Sequence, residues 1–266
     1  MRRNAVLLLA ALLCGCRTGR SYTDPAGPRY AGGVRVDSMK AAIDTLRLVT
    51  FNIEFAVRVD SAIAVLTSEP AVRGADVILV QEMDGDGTKR LAEALGLAYV
   101  YYPAIYHLRT KRDFGNAVLS RWPIVDDDKL TLPRVSRYAG THRIATAATI
   151  RIGASLVRVY STHLGTVADI GAAARAEQMR AIIDDAARYE RVVIGGDMNA
   201  FAVGSAARER GYTWPTEHGP HTTRLGRWDH IFLKGLVSPD SGGAGTVLDV
   251  RHASDHRPVW ALAVLR

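Results

Sequence analysis

Asp197 and Asn199 lie two residues apart in Gly195-Gly196-Asp197-Met198-Asn199. In an extended segment that spacing turns both side chains to one side. The two glycines ahead of them allow close approach by backbone or substrate. Glu82 closes the apolar run Ala75–Glu82. An ionised carboxylate there needs a partner, and a metal ion is one. Ser254-Asp255-His256-Arg257-Pro258 supplies a hard oxygen ligand in Asp255 and a titratable imidazole in His256, able to act as acid, base or donor to phosphate. His163 ends Thr162-His163-Leu164, and Asp229 stands between Trp228 and His230. A carboxylate so placed can orient a histidine by accepting its ring N–H. Each group has a plainer alternative: a surface or capping acid for Glu82, a strand-end turn for Asp197, a polar loop for Asp255 and His256, a core histidine for His163.

What sets these groups apart is position. Polar residues end successive strands, where α/β folds commonly place their sites. Strands are predicted over Leu46–Asn52, Ala75–Glu82, Ala98–Tyr102, Gly115–Ser120, Arg191–Asn199, Trp228–Leu233 and Val259–Val264. Ala145–Ile152 and Leu156–His163 read as a hairpin around Gly153-Ala154. Helical spacing marks Asp60–Leu66, Lys89–Leu95 stopped by Gly96, and 171–189 with Met179, Ile182, Ile183 and Ala186 on one face.

The chain has 266 residues, 48% hydrophobic and 23% charged, a composition that excludes global disorder. Two cysteines exclude a disulfide-dense scaffold and a cysteine-rich zinc module. A net charge of +7 points weakly to an anionic partner, yet no Lys/Arg block makes a strong nucleic-acid footprint. Arg2 and Arg3 precede the apolar run Ala5–Leu13, which is too short for the ~30 Å core of a bilayer. Residues 1–15 therefore read as a signal peptide. Its end, Leu13-Cys14-Gly15-Cys16, resembles the bacterial lipobox, which implies cleavage before Cys16 and lipidation of that residue. Residues 16–45 read as a tether and 46–266 as one domain. The expected protein is exported and held on a membrane, periplasmic or at the outer surface, or otherwise secreted.

Taken in order, Thr50-Phe51-Asn52, Gln81-Glu82, Gly115-Asn116-Ala117-Val118-Leu119-Ser120-Arg121, Ser161-Thr162-His163-Leu164, Gly195-Gly196-Asp197-Met198-Asn199, Trp228-Asp229-His230-Ile231-Phe232 and Ser254-Asp255-His256-Arg257-Pro258 resemble the endonuclease/exonuclease/phosphatase superfamily, also called DNase I-like. Arg175 and Gln178 match its Arg-x-x-Gln pattern. The resemblance implies a four-layer α/β sandwich, two mixed β-sheets packed face to face with helices outside. It implies Glu82 as the principal ligand of Mg²⁺ (or Mn²⁺), with Asn52 and Asp255 completing or supporting the metal environment. Asp197 would orient and deprotonate the attacking water, Asn199 would contact the phosphate, His163 would contact the phosphate or assist the leaving group, and Asp229 would pair with His256. Asn116 and Ser120 would shape the site from behind, with Asn116 toward the substrate phosphate.

Arg143, ahead of the strand Ile144–Ile150, is a further candidate phosphate contact. So is a basic loop at Tyr102–Arg112, carrying Arg109, Lys111 and Arg112. His107, His142, His221 and His252 lack motif support and read as surface histidines. The implied substrate is a phosphate ester: a lipid headgroup, a nucleic acid or a small molecule. The protein is expected to act as a monomer. The alternatives are a secreted DNA/RNA nuclease, a sphingomyelinase-like phosphodiesterase, or a binding module without turnover. If the lipobox reading holds, Cys16→Ala shifts the protein from the membrane to the soluble fraction, as fractionation followed by immunoblotting will show.

Overall fold

A computed structural model describes residues 19–34, 43–108 and 110–265. The expected signal peptide, Cys16, residues 35–42 of the expected tether, and Arg109 lie outside the described residues.

Two mixed sheets form the centre. The first runs in the order β1 (Gly19–Ser21), β5 (Ala98–His107), β6 (Arg112–Ser120), β4 (Val77–Met83), β3 (Thr45–Asn52), β14 (Val259–Leu265), β12 (Leu236–Val237). β2 (Tyr30–Gly33) adds to β5, and β13 (Ala244–Thr246) to β14. The second runs β11 (Asp229–Lys234), β10 (Val192–Asp197), β9 (Ser155–His163), β8 (Ile144–Ile152), β7 (Ile124–Thr131). The pairs β3–β4 and β9–β10 are parallel.

Alternation along the strands builds the layers. Leu48 and Leu79 turn into the core between the sheets, where they meet Ala148, Val159, Val193 and Ile231. Their neighbours Val49, Phe51, Ile78 and Val80 turn outward onto α1 (Val59–Ser68) and α2 (Gly85–Leu95). On the far side, Tyr160, Val192 and Ile194 pack on α3 (Ala172–Asp185) and α4 (Val203–Arg208). Strands covered on both faces need apolar residues at every position, which explains the unbroken runs Val77–Val80 and Val192–Ile194. The result is the four-layer α/β sandwich. α2 begins where Asp84 Oδ1 accepts the Gly87 N–H at 2.7 Å, and ends at Gly96 with φ 66° in the left-handed cap glycine favours.

Polar cross-links join the sheets where their strands end at the site. Gln81 Nε2 donates to Ser161 Oγ at 3.0 Å, and Ser161 Oγ to the Val80 carbonyl at 3.1 Å. Asn116 Nδ2 donates to the Ile144 carbonyl at 3.0 Å, and Thr146 Oγ1 returns a bond to the Asn116 carbonyl at 2.9 Å. Such groups hold their energy only while fully paired.

Besides the short elements α4, β12 and β13, which the sequence reading does not contain, the fold departs from it in three places. β7, Ile124-Val-Asp-Asp-Asp-Lys-Leu-Thr131, was not predicted, because three aspartates oppose strand propensity. Their charge is used at the sheet edge: Asp126 and Asp128 pair with the buried Arg158 at 3.1 and 2.8 Å, and Asp127 with Arg29 at 2.6 Å. Second, the stretch expected as a tether contains β1 and β2, both hydrogen-bonded to β5. Third, β5 runs on to His107 and meets β6 at Arg112, so the expected loop at Tyr102–Arg112 is mostly a hairpin.

Close approach is sharpest at Gly196, φ 152°, where an added Cβ would collide with the Thr162 carbonyl of β9. Gly196→Ala should cost about 3 kcal/mol, the upper range for overpacking against backbone. In thermal denaturation that corresponds to a Tm lower by roughly 6–12 °C for a domain of this size.

Candidate active site

Register alone aligns three of the expected residues. Asp197 ends β10 and sits opposite His163 in the parallel pair with β9, and opposite Asp229 in the antiparallel pair with β11. The first sheet brings Asn52, at the end of β3, opposite Gln81 of β4. Beyond Gln81 the pairing of β4 with β6 shifts register between Val80 and Met83, and Glu82 takes φ 59°. A bulge re-aims a side chain out of strict alternation, and here it directs Glu82 to Asn52.

Asn52 joins the sheets through two carboxylates. Its Nδ2 donates to Glu82 Oε1 and to Asp197 Oδ2, each at 3.1 Å. Its Oδ1 accepts the Glu54 N–H at 3.1 Å, which fixes the amide. Glu82 Oε2 accepts the Phe55 N–H at 3.1 Å. The third arm is the loop before β14. Ser254 Oγ donates to the Asn52 carbonyl at 2.7 Å and accepts the His256 N–H at 3.0 Å. His256 Nδ1 then lies 2.9 Å from Asp229 Oδ2, with Nε2 3.7 Å from Asp197 Oδ2.

The two histidines carry opposite states. Arg143 Nη1 stands 3.3 Å from His163 Nδ1. A guanidinium only donates, so Nδ1 accepts and the ring proton sits on Nε2, 3.3 Å from Asp197 Oδ2. Burial, with Arg143 and His256 nearby, holds His163 well below the usual imidazole range. For His256, burial works against the charged form, but the Asp229 carboxylate outweighs it and raises the imidazole to about 10. Burial, reinforced by Asp229, pushes the Asp197 carboxyl up to about 7. Burial also pushes Glu82 up, opposed by the Asn52 amide and Arg143.

This donor set fits a hard divalent cation. With all four carboxylates of Glu82, Asp197, Asp229 and Asp255 ionised against one guanidinium and one imidazolium, the set carries an excess of two negative charges, and it is burial together with the crowding of these acids that raises Asp197. Asp229 Oδ1 is buried without a hydrogen-bond partner. Asp197, Asp229 and His256 form the cluster of possible metal-ligating groups among the described residues. The His256–Asp229 hydrogen bond already occupies that imidazole, and of the three carboxylates inside the centre Glu82 is the most accessible, its side chain 14% exposed against 2% for Asp197 and 0% for Asp229. Oxygen-rich surroundings with few protein ligands are what Mg²⁺ prefers.

The remaining expected residues lie around this centre. Asn199, φ 49°, donates its N–H to Asp197 Oδ1 at 2.9 Å and its Nδ2 to the Leu164 carbonyl at 3.1 Å. Asp255 is exposed at the rim and shares a groove with His256. Asn116 is buried behind the site as a cross-link between the sheets. The buried Ser120 hydroxyl accepts the Trp122 N–H at 2.9 Å. Arg175 donates to the Ile170 carbonyl at 2.6 Å and Gln178 Oε1 accepts the Gly165 N–H at 2.9 Å, so both brace the loop after His163.

Of the supposed surface histidines, His221 and His252 are exposed and His142 is half-buried. His107 is buried, which corrects the expectation. It lies 5.5 Å from the Phe55 ring, with Nδ1 3.0 Å from Thr110 Oγ1. In the neighbouring hairpin Arg112 forms an ion pair with Asp84, while Lys111 is exposed.

Sequence reasoning missed a cavity of about 260 Å³ beside Arg143, walled by Phe55, Ile105, His107, Phe114 and Tyr138. Phe114 lies 6.0 Å from His163, so the cavity adjoins the polar centre. Phe114 could have been inferred from its place beside Gly115-Asn116. Phe55 sits at the centre of a left-handed turn, Glu54–Ala56, that no sequence signal marked.

The sequence model of the Endonuclease/Exonuclease/phosphatase family matches residues 49–256. The chain belongs to that family. No curated protein matches the sequence. Among solved structures, an endonuclease/exonuclease/phosphatase from Beutenbergia cavernae is similar at 24% identity and a TM-score of 0.66, over 84% of this chain and 72% of that one. Sphingomyelinase C from Streptomyces griseocarneus is similar at 17% identity and a TM-score of 0.60, over 84% of this chain and 100% of that one. A humanized D. rerio TDP2 is similar at 15% identity and a TM-score of 0.61, over 83% and 99%. These likenesses concern the fold. The matched span of the Endonuclease/Exonuclease/phosphatase family contains every residue of the polar centre, from Asn52 to His256.

His230, beside Asp229, shows how the site is backed. It is fully buried; Trp214 Nε1 donates to its Nδ1 at 3.2 Å, and its Nε2 lies 2.9 Å from the Arg227 carbonyl. The bond from Trp214 requires an unprotonated Nδ1 and hence the neutral ring, and burial lowers its pKa to about 4. The folded state therefore binds fewer protons than the unfolded chain between about pH 4 and 6.5, and stability falls on acidification through that window. From pH 7 to 5 this histidine alone should remove about 2 kcal/mol. Urea unfolding in EDTA will show it as a drop in midpoint, with a shallower pH slope in His230→Asn.

Proposed function

We propose that the protein is a divalent-metal-dependent hydrolase of phosphate esters, using Mg²⁺ or Mn²⁺, exported and held on a membrane through Cys16. One observation carries the reading. Four carboxylates, with Asp255 at the rim, a neutral histidine, a charged histidine and an arginine gather where two sheets end together, and their net negative charge calls for a cation.

Glu82 would hold the ion, with Asp255 at the rim and Asn52 fixing the carboxylate. Bound there, a divalent ion supplies charge neutralisation at the phosphate oxygens. The chain's own residues do the rest. Asp197, held by the Asn199 N–H and Asn52, has a proton affinity near neutrality, which suits orienting a water and taking its proton. His256, kept charged by Asp229, presents Nε2–H toward the phosphate. His163 Nε2–H and the Arg143 guanidinium face the same space, and donors fixed in advance of the reaction stabilise developing negative charge.

The modest charge and the apolar cavity beside Arg143 favour a lipid headgroup or small phosphodiester over nucleic acid, and sphingomyelinase C shares the fold. A secreted nuclease is the second reading. A binding module without turnover is disfavoured because the acids and histidines are all in place. Bis-p-nitrophenyl phosphate should be hydrolysed with Mg²⁺ or Mn²⁺, and EDTA should stop it. Asp197→Asn and His256→Ala should each lower the rate by at least about 10²-fold. Wild-type turnover in both variants would overturn the assignment.

A further inference from the structure

The first described strand joins the domain at the site. In β1, Gly19 pairs with His107 and Ser21 with Ile105, and Ser21 Oγ accepts the His142 N–H at 2.9 Å. Ile105, His107 and His142 all line the cavity beside Arg143. The chain thus enters the fold at the mouth of the site rather than at the far end of the sheets.

Only residues 17 and 18 separate Cys16 from Gly19. Three peptide steps reach at most about 10–11 Å. The headgroup layer of one leaflet takes roughly 5–8 Å of that, the difference between the hydrocarbon core and the whole bilayer. An acyl chain on Cys16 would therefore leave Gly19 within a few ångströms of the headgroups, and the mouth beside it.

The mouth has a rim suited to that position. Leu108 follows His107, Val135 precedes Ser136, and Val167 lies between Thr166 and Ala168, each beside a cavity-lining residue; Tyr138 lines the cavity itself. These four apolar side chains are 44–71% exposed. Asp169 Oδ1 accepts the Arg137 N–H at 2.8 Å and so ties the two rim loops together. Lys111 and Arg137 are exposed among them. Apolar residues interleaved with cations are what a surface needs to bind the interface of an anionic bilayer.

We propose that the mouth of the site faces the membrane that carries the anchor, with Leu108, Val135, Tyr138 and Val167, together with Lys111 and Arg137, docking on an anionic lipid surface. The phosphate ester is then drawn from that surface, as a lipid headgroup. The proposal rests on the anchoring and phosphoesterase readings above and adds an orientation that neither contains.

The test uses the full-length acylated protein in vesicles of phosphatidylcholine and phosphatidylglycerol carrying a lipid-attached quencher. A fluorophore is placed through Val167→Cys, or through Glu190→Cys, an exposed position just ahead of β10 at the end opposite Asp197. Quenching should be at least about threefold stronger at position 167, since only a surface at the interface lies within reach of the acyl region. Equal quenching, or stronger quenching at 190, would overturn the orientation. A mass spectrum without acylation at Cys16 would overturn it together with the anchoring reading.

The second arm uses Leu108→Ser/Val135→Ser/Val167→Ser. Phosphorylated headgroup release from the vesicles should fall about fivefold with the loss of the apolar rim, while turnover of bis-p-nitrophenyl phosphate stays at the wild-type level and shows that the fold is intact. Unchanged headgroup release would overturn the docking role of the rim. A wild type inactive on both substrates would defeat the phosphoesterase reading, and the quenching comparison would still decide the orientation.

Discussion

Two carboxylates from different sheets share one amide. Glu82 and Asp197 would repel each other, and like charges a few ångströms apart in a poorly solvated place are costly. Asn52 offers each one hydrogen from the same nitrogen, while its oxygen is held by the Glu54 backbone. The contact depends on the position of one sheet over the other. Beneath it, Gln81, Ser161, Asn116 and Thr146 pair across the same gap. A slide of the sheets by one residue would leave these buried groups unpaired and separate the carboxylates together. The site and the sandwich are held in place by the same bonds.

Within that frame, partners decide what each histidine can do. His163 meets a guanidinium and is kept neutral, a donor at a single nitrogen. His256 meets Asp229 and is kept charged, a donor at both. One residue type thus supplies two functions within a single cluster: burial, reinforced by a guanidinium, keeps one ring neutral, and a paired carboxylate keeps the other charged despite its burial. His230, a third histidine nearby, is neutral chiefly because it is buried, and the Trp214 Nε1–H fixes its Nδ1 as an acceptor.

The long strands and the groups at their ends were legible because burial on both faces writes unbroken apolar runs, and polar residues stop them. Ala172–Asp185 was legible for a similar reason, since Met179, Ile182 and Ile183 keep helical spacing on one buried face. β7 was not, because its aspartates answer to Arg158 and Arg29, which are distant in sequence. β1 and β2 were hidden by their composition and exist through pairing with β5. In the site, residue identities were readable, but the bulge that aims Glu82, the place of Asn52 between two acids, and the burial of His107 depend on tertiary contacts. Asn116 shows the same limit: its place in the motif was visible, and its bonds across the sheets were not.

The last strand of the chain lies inside the first sheet. β14 fills the place between β3 and β12, so residues near position 260 complete a surface begun near position 50. At roughly 5–20 residues per second of synthesis, some 10 seconds or more pass with that place vacant and the loop carrying His256 without its seat on Asn52. During this interval the polypeptide cannot lock shut. If the chain is exported as proposed, this strand order would keep it open for a translocation channel.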